Sequence, residues 1–88
     1  MKVDFKKSST DDLKRVRNKD LLRRAKEGIE QVEQAPNLQA VRNLSRLSGT
    51  GGYFRIRLAD YRIGLKIEGN VVTFVRFLHR KEIYRYFP

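Results

Sequence analysis

The chain has 88 residues, 40% of them hydrophobic, and no cysteine. This length suffices for one domain, so we expect residues 1–88 to form a single domain without disulfides. Twenty Lys and Arg against ten Asp and Glu give a net charge of +10, and a field of this sign attracts polyanions. There is no run of about 20 apolar residues and no apolar segment behind the charged N-terminus, so we expect no membrane span, no signal peptide and a cytoplasmic protein.

The N-terminal half predicts one strand followed by helices. Residues 2–6 alternate between charged and apolar side chains, which favours a short strand. Residues 8–12 offer N-cap candidates for a first helix. The apolar spacing then slips, so a second helix is expected there with Asp20 as its candidate N-cap, and Pro36 is expected to end it. Residues 38–47 fit a loose helical turn or a packed loop.

The C-terminal half predicts a three-stranded meander. Residues 48–52 are rich in glycine and indicate a linker, after which residues 54–58 and 61–67 alternate with the period of half-buried strands. Ala59 with Asp60, and Gly69 with Asn70, form two-residue connections. Residues 71–78 are almost continuously apolar, as in a strand covered on both sides. The predicted fold is α+β: a short N-terminal strand and two helices packed on one face of an antiparallel sheet of three to four strands.

A row of cations is expected on one face of that sheet. With two-residue turns, Arg57 lies opposite Arg62, and Arg55 lies opposite Gly64. We call Arg55, Arg57, Arg62 and Lys66 the arginine row, and expect Thr73, Val75, Phe77 and His79 beside it, with Arg62 facing Phe77 and Gly64 facing Val75. The helix-covered face is expected to hold Ile56, Leu58, Ile63, Leu65, Ile67, Val72, Phe74 and Leu78, with Arg76 at its margin.

Like charges directly opposite each other destabilise a sheet, and such conflicts often mark functional sites. The side chains could simply splay into solvent, but guanidinium groups also match phosphate oxygens in a bidentate way. Gly64 leaves room beside them for a backbone or a base, or marks a bulge.

The last residues interleave cations with aromatic rings, an arrangement that suits RNA. His79 is the only histidine and could titrate near neutrality or be purely structural. One of Tyr84 and Tyr86 is expected to anchor in the core. The sequence contains no Cys and His cluster, no phosphate-binding glycine loop and no paired carboxylates, so no metal and no cofactor are expected.

Four segments, residues 54–58, 60–63, 74–75 and 79–85, together resemble the C-terminal half of RelE/ParE superfamily toxins. The resemblance implies a microbial RNase-like fold and a toxin neutralised by a cognate antitoxin, a small and acidic protein. RelE-type members of this family enter the ribosome and cut messenger RNA there. The basic sheet face favours this branch over the ParE branch, which inhibits DNA gyrase without cutting RNA. A non-toxic RNA-binding module is the third alternative.

The resemblance also implies roles for individual residues. Arg62, together with Arg80 or Lys81, would stabilise charge on the phosphate while the ribose 2′-hydroxyl attacks it, without a metal. Tyr84 would stack on a base or move a proton. The RNA-binding residues would be Arg55, Arg57, Lys66 and Arg85. The family carries lysines where this chain has Arg55 and Arg57, and arginine stays protonated, so a general base would have to come from His79, Tyr84 or Lys81.

Overall fold

Five strands form one mixed sheet in the residues that the structure, a computed structural model, describes (1–47 and 51–88). In chain order the elements are β1 (Lys2–Phe5), α1 (Lys7–Arg15), α2 (Lys19–Gln34), a 3-10 turn (Leu38–Ala40), β2 (Leu44–Arg46), β3 (Tyr53–Leu58), β4 (Tyr61–Glu68), β5 (Val71–His79) and α3 (Ile83–Tyr86). The sheet order is β1-β5-β4-β3-β2, with β1 parallel to β5 and the other pairs antiparallel.

The expected α+β class is therefore confirmed, but the expected count of three to four strands is too low. Part of the segment that was expected to be a helical turn or loop is the edge strand β2, because its backbone pairs with β3. Of the expected linker, residues 48–50 lie outside the described residues, and Gly51 and Gly52 form a turn. No helix in the described ranges is long and apolar enough to cross a membrane.

The two predicted helices form, but both begin differently than expected. α1 starts at Lys7 behind Lys6, whose side chain makes no capping bond, so the N-cap prediction for residues 8–12 is wrong. The N-cap of α2 is Asn18, which accepts a hydrogen bond from the backbone N–H of Leu21, and not Asp20. The end of α2 before Pro36 is confirmed, since proline cannot continue the backbone hydrogen bonds of a helix.

Polar residues of α1 form hydrogen bonds with the edge of β5, at the positions beyond the end of β1. The Ser8 hydroxyl donates to the carbonyl of Val75 at 2.6 Å. The buried carboxylate of Asp12 accepts from the backbone N–H of Phe77 at 2.9 Å and from Nε of Arg76 at 2.8 Å. The Arg76 side chain is 22% exposed and ion-paired with Asp12, and this hydrogen bonding raises the pKa of Arg76. Its expected position at the margin, with its head group in water, is wrong.

A β-bulge between β4 and β5 changes which residues share a face. Leu65 pairs with Phe74 and Gly64 with Arg76, so Val75 is an extra residue on β5. Because neighbouring residues of a strand point to opposite faces, one extra residue exchanges the two faces for everything that follows it.

The bulge overturns part of the expected register. Arg62 lies opposite Leu78, Ile63 opposite Phe77, and Tyr61 opposite His79. Phe77 is buried in the core, and His79 follows it on the helix-covered face. The expected pairs Arg62 with Phe77 and Gly64 with Val75 are wrong, and Arg76 and Leu78 exchange faces with Phe77 and His79.

The core lies between the helices and the sheet. Gly28 of α2 approaches Ile63 and Leu58, and a methyl group in its place would lie 3.6 and 3.8 Å from their terminal carbons. The buried residues of this core cluster are Ala25, Val32, Ala35, Val41, Ile56, Ile63, Leu65, Val72, Phe74 and Phe77. Close packing of these side chains supplies most of the apolar burial of the domain.

The opposite face of the sheet is partly covered by the C-terminal segment, residues 83–88. Ile83 and Phe87 are 0% and 2% exposed, whereas Tyr84 and Tyr86 are 58% and 51% exposed. The expectation that a tyrosine anchors in the core is therefore wrong. Phe87 lies directly over Gly64, where a Cβ atom would come within 2.8 Å of its ring. Gly64 thus gives space to a side chain of this chain and also borders the bulge.

Candidate functional site

The hairpin between β3 and β4 carries the arginine row in the register expected from the sequence. Arg57 lies opposite Arg62, and Arg55 lies opposite Gly64. Lys66 lies opposite Thr73, also as expected. Both hairpin connections have two residues, which is why the alternation in the sequence was sufficient to predict the pairing of the cations.

The turn of this hairpin holds Arg62 in place. Nη1 of Arg62 donates to the carbonyl of Ala59 at 2.9 Å and to the carbonyl of Tyr61 at 2.8 Å. The carbonyl of Asp60 accepts the backbone N–H of Arg80 at 2.7 Å, which ties the turn to the end of β5. One turn therefore positions two cations. Among the described residues only Nη1 of Arg62 is engaged in a hydrogen bond, so the rest of its guanidinium group is available for a ligand.

The electrostatics of Arg62 show which groups surround it. Partial burial and the charge of Arg55 lower the pKa of Arg62 from its ordinary value, and Tyr84 opposes them. Arg57 and Arg80 lower it further. The guanidinium group stays protonated at neutral pH. No carboxylate in the described residues forms an ion pair with these four arginines. The cluster is thus suited to hold an anion, which would relieve the mutual repulsion of the cations.

Phe87 separates Lys66 from the rest of the arginine row. Lys66 and Arg62 lie on either side of Gly64 along β4, and Phe87 covers Gly64. The ammonium group of Lys66 lies 3.4 Å from a carboxylate oxygen of Glu68 and 5.3 Å from the ring centre of Tyr53. Lys66 is therefore partly neutralised and lies apart from the group around Arg62.

His79 is not brought to the arginine row. Its Nδ1 accepts the backbone N–H of Lys81 at 3.1 Å, and its ring packs edge-to-face against Tyr61 at 5.5 Å between centroids. Tyr61 and His79 also line a cavity with Val16, next to the end of α1, which is the side of the helices. Lys81, just before α3, and Arg85, within it, are both exposed. The charged and titratable residues that act on the pKa of Arg62 are therefore Arg55, Arg57, Arg80 and Tyr84, and His79 is not one of them.

Ile83 and Phe87, which position Tyr84, were missed at the sequence level. They are four residues apart, a spacing that places both side chains on one side of a helical turn. Together with a glycine in the middle of β4, this spacing is the signal that could have identified the docked segment. Arg76 also contacts the docked segment, since its guanidinium carbon lies 5.7 Å from the ring centre of Tyr86. In the described ranges no three His, Cys, Asp or Glu residues cluster as a metal site.

Comparison with known proteins identifies the family. The family model described as the ParE toxin of type II toxin–antitoxin systems, parDE, matches residues 3–84. The chain belongs to the RelE/ParE superfamily of toxins. The superfamily that the four sequence segments indicated is thereby confirmed.

Two relatives are similar to the chain over almost its whole length. "Toxin RelE3" of Methanocaldococcus jannaschii is 39% identical over 89 residues, covering 100% of both chains. The crystal structure of the RelB-RelE antitoxin-toxin complex from Methanococcus jannaschii contains a chain with 36% identity and a TM-score of 0.81, covering 97% of this chain and 99% of that one.

A more distant structure shares the fold. The archaeal RelE-RelB complex from Pyrococcus horikoshii OT3 contains a chain with 24% identity and a TM-score of 0.73, covering 93% of this chain and 97% of that one. At this identity the likeness supports the fold alone, and it agrees with the strands and helices described above.

Proposed function

We propose that the protein acts in the cytoplasm as a RelE-like toxin that cuts messenger RNA on the ribosome. The observation that carries the proposal is Arg62, held by the turn carbonyls, with a pKa that Arg55, Arg57 and Arg80 lower and that exposed Tyr84 raises. Cations placed where negative charge develops are the main requirement for phosphoryl transfer without a covalent protein intermediate. Exposed aromatic rings beside such cations also suit unstacked RNA bases.

In the proposed reaction, the ribose 2′-oxygen loses its proton and bonds to the adjacent phosphorus. The bond from phosphorus to the 5′-oxygen breaks, that oxygen gains a proton, and a 2′,3′-cyclic phosphate remains. Arg62, with Arg80 or Lys81, neutralises the charge on the phosphate oxygens. The RNA backbone is held by Arg55 and Arg57, with Lys66 and Arg85 further out.

Proton transfer is assigned to Tyr84 ahead of Lys81 and His79. Tyr84 is near enough to Arg62 to act on its pKa, whereas His79 lies on the other face and its Nδ1 is engaged. Arg55 and Arg57 remain protonated and therefore cannot serve as a base.

The proposed partner is a cognate antitoxin, a small acidic protein that covers the arginine row and offsets its charge. This partner is inferred from the RelB-RelE complex of the relative with 36% identity and from the net charge of +10. Electrostatic attraction of this kind speeds association and favours an acidic partner.

The test is cleavage of a defined messenger on purified ribosomes, with the new RNA ends mapped and the cyclic phosphate detected. Arg62→Ala should lower the cleavage rate by about 100-fold or more while its thermal melt stays close to that of the wild type. Arg62→Lys should recover only part of the rate, because an ammonium group lacks the bidentate fork. Lys26→Ala, on the outside of α2, removes a charge elsewhere and should leave the rate unchanged. An Arg62→Ala protein that cuts normally would refute the site.

A second candidate function is inhibition of DNA gyrase by binding alone, without catalysis. The observation in its favour is that the matching family model is described as the ParE toxin. Pulse labelling after induction separates the two: a nuclease stops methionine incorporation first, and a gyrase inhibitor stops thymidine incorporation first. If both continue, the protein is instead a non-toxic RNA-binding module.

A further inference from the structure

A second basic surface lies along β3 next to α2, and it shares Arg57 with the cations around Arg62. It is an open groove of about 410 Å³ between α2 and the part of β3 that extends past the end of β2. Four arginines line it, Arg23, Arg24, Arg42 and Arg57, with Glu27 as its one acidic residue. We call it the α2–β3 groove. Arg57 belongs both to this groove and to the arginine row.

The cations of the groove differ in how far they are neutralised. Arg23 is bonded to Asp20 at 2.6 Å and to Glu27 at 2.7 Å, and Arg24 is bonded to Asp20 at 3.0 Å. Arg42 and Arg57 have no ion pair with a carboxylate of the described residues. The free positive charge of the groove therefore comes from these two residues.

The backbone of both free cations is fixed. The backbone N–H of Arg42 donates to the side-chain oxygen of Gln31 at 2.6 Å. The carbonyl of Asn43 accepts the backbone N–H of Arg57 at 3.1 Å, which continues the pairing of β3 for one residue past β2. Asn43 itself has φ of 61°, a left-handed conformation that asparagine tolerates better than most residues. Two cations are thus presented from a fixed backbone at one edge of the sheet.

The lining of the groove favours a nucleic-acid backbone over a protein as its occupant. Tight protein interfaces are anchored by large apolar or aromatic side chains. Among the described residues, the exposed large apolar side chains are Phe5, Val71, Tyr84 and Tyr86, and none of them lines the groove. Guanidinium groups on a polar surface are instead the usual contacts to phosphate oxygens, which position an RNA without reading its sequence.

We propose that the α2–β3 groove binds a second stretch of RNA phosphate backbone, with Arg42 as the main contact and Arg57 joining it to the arginine row. The proposal depends on the proposed function in taking RNA as the target. Guanidinium groups would bind the phosphates of either of two RNAs. One is the strand that is cut, where it extends past the arginine row, and the other is a separate folded RNA.

The experiment measures binding of two 2′-O-methyl RNAs, which cannot be cut, to the purified full chain over a range of salt concentrations. One probe is an unstructured single strand and the other is a hairpin of equal length. For at least one probe, Arg42→Ala should weaken binding about threefold to tenfold and reduce the slope of log K against log salt by about 0.7 to 0.9. Arg42→Lys should restore the slope. Lys26→Ala removes a charge from the same helix, on the side that faces away from the groove, and should change neither quantity.

Each outcome decides a different point. A loss with both probes supports a groove that continues the path of the cut strand, and a loss with the hairpin alone supports a separate folded RNA. Equal affinities of Arg42→Ala and Lys26→Ala for both probes overturn the proposal. If the wild type binds RNA through Arg42 but cuts no messenger on ribosomes, the groove stands and the nuclease function fails. If Arg62→Ala abolishes cutting while Arg42→Ala binds normally, the groove alone fails.

Discussion

The helix-covered face of the sheet and the face that carries the arginine row are stabilised by different means. On the first, ten buried residues form one core cluster with the helices. On the second, Ile83 and Phe87 are the buried apolar residues that the C-terminal segment contributes, and both lie outside that cluster. Around them are cations, of which Arg57 and Arg62 lie directly opposite each other.

The proposed function accounts for this difference, because the cations that repel one another on this face are those to which we assign RNA binding. The core cluster follows the ordinary rules of burial and alternation, whereas the row places like charges side by side. A short docked segment rather than a full layer covers this face, which leaves Tyr84 exposed next to Arg62. We therefore expect large effects on stability from substitutions on one face, and small or opposite effects on the other.

The largest loss of stability is expected on the helix-covered face. Phe74 is 1% exposed and stacks on Phe5 at 5.1 Å between ring centroids. Phe74→Ala should lower the free energy of unfolding by about 3 to 5 kcal/mol, because it leaves a cavity in the core. Phe5→Ala, at a ring that is 40% exposed, should cost about 1 kcal/mol. Chemical denaturation measures both, and equal losses would contradict the position of the core.

A smaller loss is expected where the C-terminal segment docks. Gly64→Ala would place a Cβ atom 2.8 Å from two carbons of the Phe87 ring and should cost about 1 to 3 kcal/mol. Gly51→Ala has open space and should be close to neutral. In a Phe87→Ala background the same Gly64→Ala change should cost little, because the clash is removed. A full cost in both backgrounds would show that the ring does not lie over Gly64.

The smallest effect has the opposite sign and falls on the arginine row. Arg57→Thr removes the charge opposite Arg62 and should raise the free energy of unfolding by about 0.5 kcal/mol at low salt, while it weakens RNA binding. The gain should shrink as salt is added, because screening already reduces the repulsion. Arg46→Thr on β2, which lies opposite Phe54, should give no gain. Thermal unfolding at two salt concentrations tests this, and a salt-independent gain would indicate another cause.

Local patterns in the sequence were sufficient for the cation pairs. Arg57 lies opposite Arg62 because the connection between β3 and β4 has two residues and both strands alternate regularly. Neighbouring residues likewise predict where α1 is interrupted before α2 begins. They also predict that α2 ends before Pro36. The family resemblance also rests on short segments. The alternation and the turn residues were therefore sufficient to place its residues on strands and turns.

The bulge at Val75 could not be predicted in this way. The strand is largely apolar on both faces, so a slip of one residue shows in the alternation only at Arg76, a charged residue in the phase that was expected to face the helices. That slip decides that Phe77 and His79 face the helices. It also places Arg76 opposite Gly64, and the ion pair of Arg76 with Asp12 spans 64 positions along the chain.

By itself the sequence determined the class of fold, the strands of the meander, the arginine row and the superfamily, because each depends on composition or on residues close together in the chain. Only the tertiary structure decided that Phe87 covers Gly64, that Tyr84 rather than His79 joins Arg62, and that Arg42 and Arg57 share the α2–β3 groove. These arrangements depend on contacts between distant segments, where packing and edge pairing override the local pattern.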